Sequence, residues 1–365
     1  MKTRLTGAKA AHAARALPRA RRPSTKKSAA GFQTLQEIVT AARRNLSREL
    51  WDHLSGGSES ETTLRRNRHA LDSLALRQRV LVNVTGIDIA TTLLGRKLSL
   101  PVFLAPVGAF LGMADPQGAV AVARAAVARG TTAFISTAAK PGLEAAAAAV
   151  NEPLIFQLYV RGDRKWVEDI LDRARAGGYR ALCVTVDRNY YGRRERDLIS
   201  RAAVREGFGD PRHQASLNWD DLAWMKERMK APLILKGIAT AEDARLAVEH
   251  GTEVIYVSNH GGRQLDHAQA SIEVLPEVVA AVDGRAEVLF DGGVLRGTAA
   301  AGEAGIVRML ELLETEIRTT MGLIGVTSLT QLNPAWVRPA QPVVQTSATS
   351  AYPYFEEATS ARRKK

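Results

Sequence analysis

Seven short apolar runs, each ending in polar or glycine residues, constrain this chain more than any other feature. They are PVFLAP (101–106), TAFIST (132–137), LIFQLYV (154–160), ALCVTVD (181–187), PLILKG (232–237), VIYVSNH (254–260) and EVLFDGG (287–293). Runs rich in β-branched residues and without polar alternation suit strands covered on both faces. Between them lie stretches such as DPQGAVAVARAAVARG and TAEDARLAVEHG, with Ala, Val and Leu at helical spacing and a Gly at the stop. Alternating strands and helices predict a parallel α/β sheet. Tyr159, Asp187, Lys236, His260 and Asp291 all fall at or near strand ends. A (β/α)8 TIM barrel brings every such end to one face, whereas an open doubly wound sheet concentrates its site at one switch point. Five polar ends favour the barrel.

The rest of the chain is arranged around that core. Residues 32–55 carry helical periodicity, and EAGIVRMLELLETEIRTTMGLIG supplies a final helix. The connection at 188–218 is long, polar and Arg-rich, as expected of a functional lid or an insert. The domain is therefore expected to span 32–338, between a basic disordered tail at 1–31 and a second disordered tail at 339–365. The net charge of +12 is mostly in these tails, since residues 1–30 hold nine Lys or Arg and no acid. The nearly neutral folded part gives no nucleic-acid signal. No apolar run approaches the roughly 18 residues of a membrane span. The first tail lacks the apolar segment of a secretory signal; it reads as a disordered arm, a misassigned start or a transit-like peptide. A cytoplasmic location is expected, with peripheral membrane association left open. Cys183, the single cysteine, sits in an apolar run and reads as a buried thiol.

Taken singly, the candidate chemical residues have bland alternatives. His260, in SNHGGRQLD, suits a hydrogen-bonded core histidine. With Arg263 three residues on, across Gly261 and Gly262, it also suits a base beside an anion clamp. Asp187 is either a helix cap or the carboxylate that orients that imidazole. Lys236, at the end of PLILKG, requires negative charge nearby, such as a reduced flavin. Arg193 and Arg194 in GRRERD read as a solvated face or a clamp. DGGVLRGT reads as a turn or as a phosphate-holding loop. No G-x-S-x-G elbow occurs, and no Cys or His spacing suits zinc, so no metal is expected.

In combination these motifs resemble a known family. SNHGGRQLD, LILKGI with TAEDARLA, FQLYV, TVD with GRRERD, and DGGV with RGT stand in the order found in FMN-dependent L-2-hydroxy acid oxidases and dehydrogenases. That family includes glycolate oxidase, lactate oxidase and mandelate dehydrogenase. The resemblance implies FMN at the mouth of a (β/α)8 barrel and oxidation of a small 2-hydroxy acid to the 2-oxo acid. It implies His260 as the base, supported by Asp187, with Arg194 and Arg263 gripping the substrate carboxylate and Tyr159 bonding the substrate. Lys236 would stabilise the reduced flavin. Ala105, Pro106, Val107, Ser136, Gln157, Thr185 and Ser258 would line the flavin, with Asp291, Gly292, Gly293 and Arg296 in its phosphate loop. The resemblance also implies a homo-oligomer, commonly a tetramer. Oxygen, a quinone or a cytochrome remains open as electron acceptor.

Three departures qualify the resemblance. Trp51 stands where the family offers a Tyr to the substrate carboxylate. The two Arg that follow DGGV in the family are Leu295 and Arg296 here. Relatives continue from RGT through a helix, an eighth strand and a Gly-Arg phosphate clamp, whereas here RGT (296–298) runs directly into AAAGEAG (299–305). Helix 7 and strand 8 are therefore expected to be absent. Two functions follow as expectations: an FMN-dependent hydroxy acid oxidoreductase, or a non-catalytic relative with impaired FMN binding that serves as a binding or assembly partner.

Overall fold

A computed structural model describes residues 31–200, 210–293 and 301–342. All seven expected strands are present: β1 (Leu104–Val107), β2 (Ala133–Ser136), β3 (Ile155–Leu158), β4 (Ala181–Thr185), β5 (Leu233–Ile238), β6 (Val254–Val257) and β7 (Glu287–Phe290). They form one parallel sheet in sequence order, with Gln157 opposite Cys183, Thr185 opposite Lys236 and Phe290 opposite Val257. Side chains alternate between two cores. Phe134, Ile155, Cys183, Ile234, Val254 and Tyr256 fill the concave side. Ile135, Phe156, Leu182, Leu235 and Ile255 face the helices. Burial raises the Cys183 thiol pKa, as expected for a packing residue.

Among the described residues β1 and β7 do not pair with each other, so the curved sheet is a barrel with one open seam. Burial follows from this arrangement. Every residue of β2, β3, β4 and β6 is buried, whereas all four of β7 are only half-buried. The long helix Gly302–Ile324 packs on helix Gly118–Ala128. Arg129 pairs with Glu314 at 2.5 Å, tying the two together.

Several elements lie outside the strand–helix alternation. Residues 32–55 form two helices, α1 (Leu35–Asn45) and α2 (Arg48–Ser55), because the Ser47 hydroxyl accepts the Leu50 N–H at 3.2 Å and starts a new helix. A third helix, α3 (Thr62–Asp72), leads to a strand, Leu74–Leu76, that pairs antiparallel with Val337–Pro339. This pairing carries ordered structure past 338, to Ala340, whose N–H reaches Ser73 O at 2.8 Å. The hairpin Thr91–Leu93/Arg96–Leu98 plugs the barrel floor with Leu93 and Leu98. The 188–218 connection includes the short helices Glu195–Ile199 and Pro211–Ala215.

Candidate active site

The carboxyl ends of β4, β5 and β6 bring three predicted residues together. His260 Nδ1 lies 2.9 Å from Asp187 Oδ1. A carboxylate accepts, so Nδ1 carries the proton and Nε2 presents its lone pair. That Nε2 lies 3.4 Å from the Tyr159 hydroxyl. The close packing depends on glycines. Gly237, at φ +114°, passes so near Asp187 that an added Cβ would lie 2.6 Å from the Asp187 Cβ. Gly262, at φ +71°, would meet the backbone N of Leu64 on α3 at 2.4 Å. Burial lowers the His260 pKa, with help from Lys236 and Arg188 and against the pull of Asp187. The imidazole is thus held neutral, the form in which a base works.

Lys236 is only 6% exposed, yet it is charged. Burial alone would depress its pKa, but the Asp291 and Asp187 carboxylates outweigh that and raise it. Its Nζ lies 3.1 Å from Asp291 Oδ2 and donates to Ser258 Oγ at 2.6 Å. Ser258 in turn donates to Asp291 Oδ1 at 2.6 Å and accepts the His260 N–H at 3.1 Å. The negative charge that Lys236 requires is supplied by Asp291.

A cavity of about 920 Å³ is lined by Ala105, Pro106, Val107, Tyr159, Arg194, Lys236, His260, Arg263, Asp291, Gly292 and Gly293, whereas Asp187, Ser136, Gln157, Thr185 and Ser258 do not line it. Arg263 Nη1 donates to the carbonyls of His53 at 2.7 Å and Gly56 at 2.6 Å, fastening the end of α2 over the mouth. Trp51 does not line the cavity. It packs against the helical core, and Arg43 stacks 5.5 Å from its ring centre. His53 and Leu54 are the α2 residues that line the cavity. Two residues along a helix is a rotation of about 200°, which turns one side chain inward and the other away. His53 Nδ1 is held 2.9 Å from Asp197 Oδ2. Burial lowers its pKa against the pull of Asp197, with Arg263 and Arg194 adding to the lowering. Sequence reasoning missed His53; the signal available was an imidazole among otherwise apolar and charged positions of ELWDHL.

Ser136, Gln157 and Thr185 lie at consecutive strand ends and are fully buried. Gln157 Nε2 donates to Thr185 Oγ1 at 2.9 Å. Arg296 and the junction after Thr298 lie outside the described residues. Among the described residues no three His, Cys, Asp or Glu side chains group as metal ligands, and no helix is long and apolar enough to cross a membrane.

A parallel strand–helix barrel with a buried histidine, a carboxylate behind it and arginines at its mouth is the setting of an enzyme that moves a proton beside a bound anion. The chain belongs to the FMN-dependent dehydrogenase family, which it matches over residues 42–299 and 295–339. It is 37% identical to glycolate oxidase of Spinacia oleracea, over 82% of this chain and 94% of that one. It is 36% identical to an L-lactate oxidase of a Nostoc species, over 83% and 97% of the two chains. A crystal structure of mandelate oxidase with (S)-2-phenylpropionate superposes with a TM-score of 0.78 at 36% identity, covering 86% of this chain and all of that one.

The residues present fit FMN. Gln157 Oε1 is buried with no hydrogen-bond partner among the described residues. Such an acceptor calls for an N–H, which the pyrimidine ring of a flavin carries. Ala105, Pro106 and Val107 offer an apolar wall to an aromatic ring system, and Gly292 and Gly293 line the same cavity beyond β7.

Proposed function

We propose that this chain oxidises an L-2-hydroxy acid to the corresponding 2-oxo acid, with His260 as base and Arg194 and Arg263 as carboxylate clamps. The observation that carries this reading is the 2.9 Å His260–Asp187 bond, in a cavity that His260 shares with both arginines. FMN supplies the two-electron acceptor. His260 Nε2 takes a proton from the substrate, and Asp187 stabilises the imidazolium that forms. Two guanidiniums orient the carboxylate, and the Tyr159 hydroxyl, already beside Nε2, bonds the substrate oxygen. Lys236 supports negative charge on the cofactor, and Gln157, Thr185, Ser136 and Ser258 hold its polar edge. Relatives named as oxidases favour dioxygen as the electron acceptor.

The test is anaerobic mixing of the FMN-loaded protein with L-lactate and with L-mandelate, followed by flavin absorbance. Bleaching by either supports the reading. A retained flavin that neither bleaches overturns it for these substrates.

A second reading is supported by the open seam. The family match comes in two stretches that overlap at 295–299, and the sheet has seven strands among the described residues. On this reading a helix, a strand and a phosphate clamp are missing, and the chain is a weakly flavin-binding relative. Each charge-assisted phosphate bond lost costs about 1.5–3 kcal/mol. Desalting after FMN loading tests it: folded protein that loses its flavin favours this second reading. Grafting a relative's intervening segment after Thr298 should then restore retention.

A further inference from the structure

A second histidine–carboxylate pair borders the cavity, apart from His260 and Asp187. His53 is 9% exposed and lines the cavity together with Arg194 and Arg263. Its Nδ1 lies 2.9 Å from Asp197 Oδ2. A carboxylate only accepts, so Nδ1 carries the proton, and in the neutral ring Nε2 offers a lone pair. Phe110 stacks on the imidazole with ring centres 6.3 Å apart, so the plane of the ring is set from a second side.

That tautomer has a consequence for the anion between the two arginines. A substrate carboxylate is also an acceptor. A neutral His53 turns a lone pair towards it, which repels, whereas a protonated His53 donates from Nε2 and adds a positive charge. A tyrosine or tryptophan would donate without any change of charge. Histidine serves as a carboxylate contact here only by taking up a proton.

The charges around the ring permit that uptake. Those acting on His53 are Asp197 and Arg194, from the connection after β4, and Arg263, from the turn after β6. The helix Phe110–Ala114, packed against α2, brings none. In the free site, burial first, and then the two guanidiniums, hold the imidazole neutral against the pull of Asp197. A bound carboxylate offsets the guanidiniums and joins Asp197 in favouring the imidazolium.

We propose that His53, held by Asp197, is a third contact to the substrate carboxylate and forms it by taking up a proton, so that each 2-hydroxy acid enters the site with one proton. The proton comes from solvent to Nε2 and returns there when the acid leaves. This rests on the hydroxy acid reading above, in which Arg194 and Arg263 grip the same carboxylate. Two opposed pH dependences follow. Affinity falls about tenfold for each pH unit above the pKa that His53 has in the complex. His260, a base in its neutral form, gains with pH instead.

Calorimetric titration of the full chain, with FMN added, reads the proton without turnover. The probe is 2-oxopropanoate, which has the carboxylate but no hydrogen at C2 to be oxidised. Titrations at one near-neutral pH in phosphate and in Tris, whose ionisation enthalpies differ, should give unequal binding enthalpies that correspond to uptake approaching one proton per anion. His53→Gln carries a permanent N–H donor. It should still bind the probe, with equal enthalpies in the two buffers and an affinity that no longer falls with pH. His260→Gln should keep the uptake, and Asp197→Asn should move the fall in affinity to lower pH. Equal enthalpies in the unaltered chain, no binding of the probe, or uptake that persists in His53→Gln would overturn the proposal. If His53→Gln does not fold by circular dichroism, Asp197→Asn decides, and an unmoved pH dependence overturns it. The two readings fail differently. Flavin bleaching by L-lactate with buffer-independent binding overturns the proton uptake alone. Proton-linked binding without bleaching by any 2-hydroxy acid overturns the oxidation reading and leaves the uptake standing.

Discussion

Asp187 and His260 meet at 2.9 Å from strands that are not neighbours. β4 and β6 are separated by β5, and it is the bare backbone of Gly237 at the end of β5 that lets the carboxylate reach across. Removing either partner should therefore be read in the chemical step. His260→Gln is expected to slow flavin reduction by about 10²- to 10⁴-fold, the usual contribution of a general base, with bound flavin retained. Asp187→Asn should slow it less. Stopped-flow absorbance checks both, and unchanged reduction in His260→Gln would remove it from the mechanism.

Gly237→Ala tests the spacing itself. The added methyl lies 2.6 Å from the Asp187 Cβ at a φ of +114° that side chains rarely adopt. A loss of about 1–3 kcal/mol in unfolding free energy is expected, with a larger fall in activity than the stability loss accounts for. Urea denaturation read alongside flavin reduction separates the two. Full activity in this variant would show that the spacing has slack.

The histidines set a pH dependence with a definite sign. Burial holds both His260 and His53 below the ordinary imidazole value. Each binds fewer protons folded than unfolded between its folded pKa and about 6.5, so stability falls as pH drops through about 6.5 and levels off below the folded values. Asp187 adds a linkage of the same sign in a lower pH window. Its folded pKa is lowered, with the His260 and Lys236 charges outweighing burial, so its stabilisation holds above about 3.9 and is lost as pH falls towards the folded value. Flavin reduction should rise with pH to a plateau with its midpoint below about 6.5. A midpoint well above that would contradict a buried, neutral base.

The two α2 residues should separate cleanly. Trp51→Phe keeps an aromatic ring in the helical core and is expected to leave the KM for a 2-hydroxy acid within about twofold. His53→Ala opens the cavity beside Arg194 and Arg263 and leaves Asp197 without its imidazole, so KM should rise roughly tenfold, the scale of one lost hydrogen bond to a charged group. Steady-state kinetics with L-lactate measures both. The reverse pattern would return the substrate contact to Trp51.

Much of this was legible along the chain because the barrel strands are local signals. ALCVTVD and VIYVSNH are apolar on both faces, and their polar ends follow directly, so Asp187, Lys236 and His260 could be placed at one mouth before any contact was known. Two kinds of feature were not legible. The hairpin Thr91–Leu93/Arg96–Leu98 and the pairing of Leu74–Leu76 with Val337–Pro339 use strands of three residues, too short for a period, and the second joins partners far apart in sequence. The choice between Trp51 and His53 turned on helix rotation, which α2's neighbours fix and its composition does not.

The seam between β1 and β7 bears on how this protein must be handled. Among the described residues two parallel edges flank one slot, each with backbone donors and acceptors that no described strand takes up. An extended segment entering that slot would gain hydrogen bonds on both flanks at once, so strangers with strand-forming sequence compete for it on favourable terms. Dilution therefore becomes a variable of the same rank as temperature. Samples kept scarce should stay monodisperse far longer than concentrated ones, and time-resolved light scattering across a dilution series would record the difference.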